Sequence, residues 1–161
     1  MARKKRPTPN TILAVFGKSA LELRAAVDGG CSVDERDADG RTALHHAAIQ
    51  GDLDIFQLLI EMGADPNASD SNGWTPLHFA SQNCNCDIAS LLLKLGSQVD
   101  SYNVYGNTPL SNAVFESRGK GEMIKLLLSF GADRNKTNKY GVSPLSLAKT
   151  IANYNVIQWF E

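Results

Sequence analysis

A short word recurs along this 161-residue chain. Gly40-Arg-Thr-Ala-Leu-His-His-Ala returns as Gly73-Trp-Thr-Pro-Leu-His-Phe-Ala, as Gly106-Asn-Thr-Pro-Leu-Ser-Asn-Ala and as Gly141-Val-Ser-Pro-Leu-Ser-Leu-Ala. The copies stand 33, 33 and 35 residues apart. A second word keeps the same phase: Gly63-Ala-Asp-Pro-Asn, Gly96-Ser-Gln-Val-Asp and Gly131-Ala-Asp-Arg-Asn, with Gly30-Cys-Ser-Val-Asp a fainter copy. A unit this short cannot bury its own apolar faces. It must stack on copies of itself, which makes the chain a one-dimensional array.

Each unit reads as two short helices and a turn. Thr75 before Pro76 is a start signal: threonine caps, and proline fits the first turn because its missing N–H would be unpaired anyway. Leu77 and Ala80 give the first helix its apolar side, and Ala47, Ala48, Ala80 and Ala113 let neighbouring helices approach. The second helix carries Ile55-Phe56-Gln57-Leu58-Leu59-Ile60, matched by Ile88 to Leu93 and Met123 to Leu128. Gly63, Gly96 and Gly131 end these helices in the left-handed conformation. Polar turns follow, one of them the tight-turn pair Asn72-Gly73.

The words and the period resemble the ankyrin repeat over roughly residues 8–161. The resemblance implies an all-α repeat solenoid of helix-turn-helix units with hairpin fingers. About five units are expected, at 8–35, 36–68, 69–101, 102–136 and 137–161, the two outer ones degenerate caps. The first should hold helices near Thr11–Phe16 and Leu21–Asp28. The last should be a helix pair ending in Trp159-Phe160-Glu161, with Trp159 and Phe160 closing the core. Residues 1–7 read as a basic, flexible tail built on Arg3-Lys4-Lys5-Arg6.

Composition narrows the function classes. With 43% hydrophobic residues the chain can build a core, and a net charge of −1 does not suit a phosphate-binding protein. No nucleic-acid or membrane partner is expected. Three cysteines fit a reducing, cytoplasmic setting better than a disulfide framework. Cys84-Asn85-Cys86 lacks the further ligands of a metal site. His45 and His46 are adjacent, not four apart, so they form no helical zinc pair. His45 and His78 hold one repeat position, where Ser111 and Ser146 stand later; the resemblance makes them structural, bonding around the threonine cap and tying units together. No activated nucleophile or phosphate loop is present. The chain reads as no enzyme, with no cofactor and no metal.

Function should therefore lie in a surface. The resemblance places it on the concave face, made of finger residues and the exposed end of each first helix. Those positions are Asp39, Arg41, Ile49 and Gln50; then Ser71, Asn72, Trp74, Gln82 and Asn83; then Tyr102, Val104, Tyr105, Asn107, Phe115 and Glu116; then Lys139, Tyr140 and Val142. The longer third unit adds its two residues within Phe115–Glu122, which reads as a mobile, basic loop whose Arg118 and Lys120 could reach an acidic partner. Aromatic residues on a rigid face are common interface anchors. The expected role is non-catalytic binding of a folded protein by a monomeric, stand-alone array. The C-terminal units are also similar to small bacterial ankyrin proteins associated with toxin systems. That implies an immunity role, in which the array occludes a cognate toxin and Asp39 or Glu116 pairs with its cations. An effector or adaptor role is the alternative of the same class. An accessory domain to an enzyme, or a small-ligand binder, is the alternative of another.

Overall fold

The computed structural model describes residues 8–161; the basic run Arg3–Arg6 lies outside the described residues. Nine α-helices occur among the described residues: α1 (Asn10–Phe16), α2 (Ala20–Asp28), α3 (Ala43–Gln50), α4 (Leu53–Glu61), α5 (Pro76–Gln82), α6 (Cys86–Lys94), α7 (Pro109–Glu116), α8 (Glu122–Ser129) and α9 (Pro144–Thr150). A 3-10 helix, Val156–Phe160, follows them.

The start signals act as the sequence implies. Thr42, Thr75, Thr108 and Ser143 each open a helix with a reciprocal capping box, closed by His45, His78, Ser111 and Ser146. The stop signals act too. At the end of α4, Gly63 takes φ +86° and its N–H donates to the Ile60 carbonyl, while the Ala64 N–H reaches back to Leu59. These two bonds satisfy carbonyls the helix would otherwise leave open.

The odd-numbered helices α1, α3, α5, α7 and α9 stack as one row. Behind them α4, α6, α8 and the 3-10 helix form a second. Between the rows runs one continuous core, with Ile12, Leu44, Phe56, Leu59, Leu77, Ile88, Leu92, Leu110, Ile124 and Leu127 fully buried. Ala47, Ala80 and Ala113 are buried in the inner row, where a larger side chain would push the helices apart.

Between helix pairs the chain turns out into fingers that share one geometry. In the second finger the Gly73 N–H donates to the Asp70 carbonyl, and the Asp70 N–H donates to the Trp74 carbonyl at 2.8 Å. Only the glycine is left-handed, so this is the longer glycine-bulge turn and not the two-residue kind that Asn-Gly often marks. Asp37, Asp70, Asn103 and Asn138 brace the four fingers from within. Each side-chain Oδ1 accepts the N–H two residues and four residues ahead.

The C-terminus departs from the expected helix pair. The five residues Val156–Phe160 can close very few α-helical bonds, and Asn155 supplies no side-chain cap, so the tighter 3-10 form appears. Phe160 is buried and Trp159 packs against the core, closing the last layer as expected.

Candidate functional site

The residue that follows each finger, Arg41, Trp74, Asn107 or Val142, stands where finger meets inner helix. Trp74 is half-buried there. Its ring lies 5.0 Å from Phe79 and 5.7 Å from His78. The guanidinium of Arg41 sits 5.0 Å from the centre of the Phe79 ring, and pairs with Asp70 at 3.4 Å and Asp39 at 3.9 Å. Trp74 is thus part anchor and part wall: one edge is tied to its own unit, and the rest faces the side where the fingers meet the inner helices.

That side holds a groove of about 380 Å³ lined by Trp74, Gln82, Asn107, Ser111, Asn112, Phe115, Glu116, Asn138, Tyr140, Val142 and Leu147. Phe115 and Tyr140 are 70% and 75% exposed. A second depression, lined by Gln82, Asn83, Cys84, Glu116, Ser117, Arg118 and Lys120, shares Gln82 and Glu116 with the first. Of the surface positions singled out in the sequence, the first hollow gathers Trp74, Gln82, Asn107, Phe115, Glu116, Tyr140 and Val142. The second adds Asn83, Arg118 and Lys120.

The remaining positions stand apart from both hollows. Asp39, Ile49 and Gln50 belong to the first full unit, with Arg41 in the cluster over Phe79. Ser71 and Asn72 spend their backbone on neighbouring fingers: the Ser71 N–H donates to Asp39, and the Asn72 carbonyl accepts from Val104. Tyr105 does the same, accepting from the Lys139 N–H, while its side chain stays exposed. The Tyr102 ring carries the Lys136 ammonium at 4.6 Å, away from the groove.

Sequence reasoning did not place Asn112, Ser111, Asn138 or Leu147 at the groove. Asn112 lies one helical turn before Phe115, and Leu147 is its copy in the next unit. The three-residue helical spacing was the signal that could have found them. Nδ2 of Asn112 is buried with no hydrogen-bond partner beneath the groove, an arrangement that a bound acceptor would relieve.

The histidines do different work. His45 Nδ1 receives the Thr42 N–H at 3.1 Å, and its Nε2 lies 3.0 Å from the Trp74 carbonyl of the next unit. His78 repeats this with Thr75 at 3.2 Å and Asn107 at 3.1 Å. Nε2 therefore carries the proton and Nδ1 accepts. Burial pushes both imidazoles down to about 4, against some support from the carbonyls they bond. His46 is separate: Nε2 lies 2.8 Å from Asp37 Oδ2, with the Phe16 ring edge-on at 4.9 Å. Burial raises the Asp37 carboxyl, but the bonds from His46 and from the Arg41 and Asp39 amides outweigh it and hold the group below its ordinary value. This pair seats the first finger.

Neither Cys84 nor Cys86 is primed. Burial raises both Cys84 and Cys86 above the ordinary cysteine value. Among the described residues no three His, Cys, Asp or Glu side chains converge as metal ligands, and no helix is long and apolar enough to cross a membrane.

The loop between α7 and α8 is tied down, unlike the mobile segment that two glycines suggest. The Trp159 indole N–H donates to the Gly119 carbonyl at 3.1 Å, and the Lys120 N–H to the Ser117 carbonyl at 2.8 Å. Gly121 lies flat against the Trp159 ring, and Tyr154 packs on Gly119. The C-terminal 3-10 helix thus fixes where Arg118 and Lys120 stand.

Stacked helix pairs with braced fingers, and a groove where fingers meet inner helices, define a repeat scaffold. The family models agree: one for ankyrin repeats in three copies matches residues 11–103, and one for a single ankyrin repeat matches residues 105–139. The chain belongs to the ankyrin repeat family, whose repeats are non-catalytic modules of protein–protein interaction.

Proposed function

We propose that residues 8–161 form one array whose only task is to bind a folded protein on the concave face, with no catalysis. One observation carries this. Trp74, Phe115 and Tyr140 border a single groove on a frame already closed by its own hydrogen bonds. Aromatic anchors on a rigid support lose little entropy on binding. The proposed setting is the cytoplasm, as a monomer away from nucleic acid and membranes. Near-neutral charge and three free thiols support it. The finer role we propose is neutralisation of a toxin by occlusion, supported by the similarity of the C-terminal units to immunity-type arrays. In that role the groove would cover the toxin's active site.

The test is site-directed photo-crosslinking in cells. A benzoylphenylalanine at position 115 should give one discrete protein adduct, and the same group at Lys94, on the back of α6, should give none. Adducts at both positions, or at neither, would refute the concave-face reading. Purified partner whose enzymatic activity survives saturation with this chain would refute the occlusion role.

A further inference from the structure

The surroundings of the groove specify what the partner must offer. Phe115 is the ridge between two hollows. On one side lies the groove with Trp74 and Tyr140; on the other, a hollow with Leu147 and Arg118. Arg118 also lines the polar depression beside the groove, together with Lys120 and Glu116. Across these three adjoining hollows the charged side chains are one carboxylate and two cations. Glu122 lines a fourth hollow that also holds Lys120, Cys84, Cys86 and Met123, so Lys120 borders a second carboxylate while Arg118 does not line that hollow.

Among the described residues Arg118 and Lys120 take part in no ion pair. Nor are they on a free tether. Arg118 is held at φ +46°, in the left-handed region that side chains seldom adopt, by a loop pinned to Trp159 and Tyr154. Unpaired charges on a fixed loop need little rearrangement to meet an opposite charge.

We propose that the partner segment bound here carries a large apolar side chain with an aspartate or glutamate close to it. The apolar group lies against Trp74, Phe115 and Tyr140. The carboxylate lies between Arg118 and Lys120. This deepens the concave-face reading and rests on it. In the polar depression Arg118 and Lys120 face one carboxylate, Glu116, so a lysine or arginine of the partner seated there is disfavoured. Glu116 works against the preferred partner, and its removal strengthens binding.

A random-peptide phage library selected on the full chain tests this, with individual clones re-measured on variants. Selected peptides should pair an aromatic or large aliphatic residue with Asp or Glu within two positions. Their binding should fall about tenfold or more on Arg118→Glu/Lys120→Glu, weaken with added salt, and rise on Glu116→Gln. Phe115→Ser/Tyr140→Ser, at two exposed positions, should abolish it with the thermal midpoint unchanged. Peptides rich in Lys or Arg, or indifference to the charge reversal, would overturn the acidic preference. If Phe115→Ser/Tyr140→Ser still abolished binding, the concave-face reading would survive that outcome. Peptides insensitive to both pairs of substitutions, or no peptide retained, would overturn both.

Discussion

A proton added to His45 or His78 would land on Nδ1, where a threonine amide already points its own hydrogen. The neutral ring is therefore part of the fold, and stability should depend on pH in a defined direction. Above about 6.5 the imidazole is neutral in folded and unfolded chains alike, and its full contribution is present. As pH falls from 6.5 towards about 4, the unfolded chain takes up two protons that the folded chain refuses, so stability declines. The loss should reach about 3 kcal/mol for each histidine and level off below that window. Urea midpoints at pH 7 and pH 5 would measure it, and a pH-independent midpoint would contradict it. At pH 7, His78→Ala should lose about 1–3 kcal/mol, because the Asn107 carbonyl and the Thr75 N–H lose a partner. The structural role of these residues was legible in the repeat, since a reactive group seldom recurs at a fixed scaffold position. The His46–Asp37 pair was not legible. Its members lie nine residues apart, and only the fold of the first finger brings them within 2.8 Å.

At the level of elements, helix boundaries were readable because caps are local chemistry: a threonine, a proline or a glycine acts within one turn of itself. The loop after α7 was not readable for the opposite reason. Its restraints come from Tyr154 and Trp159, more than thirty residues further on. Gly121→Ala checks that account. The backbone there has an ordinary φ of −110°, so a methyl group causes no conformational strain. Its Cβ would instead overlap the face of the Trp159 ring. We expect a loss of about 1–3 kcal/mol from forced repacking, read by urea denaturation, with faster proteolysis between Ser117 and Gly121. An Ala variant as stable as the parent would show that the indole does not hold the loop.

Across the whole molecule, stability should be uneven along the array. The first unit is the weaker end. Leu23 is the one buried residue of α2, while Leu13, Phe16 and Leu21 are exposed. The far end is fastened by the Arg134 guanidinium on the Phe160 carbonyl at 2.6 Å and by Lys125 over the Trp159 ring at 4.4 Å. Amide exchange should therefore open α1 and α2 first and α5 and α7 last, with the C-terminal helix outlasting α2. Equal protection along the chain would contradict this order. The groove was legible only in part at this scale. Trp74, Phe115 and Tyr140 were visible as aromatics where the repeat demands none, but their convergence depends on how far one finger stands from the next. That distance is set by the backbone: Ser71 to Asp39, Val104 to Asn72 and Lys139 to Tyr105, at 2.9, 2.9 and 3.0 Å. No side chain takes part in these rungs. They act as a ruler whose graduations stay put while the letters written at each mark change. A new partner can therefore be met by rewriting positions 74 and 142 with the rungs inherited unchanged, whereas Arg41 and Asn107 also bridge neighbouring fingers through their side chains, to Asp70 and Asn138.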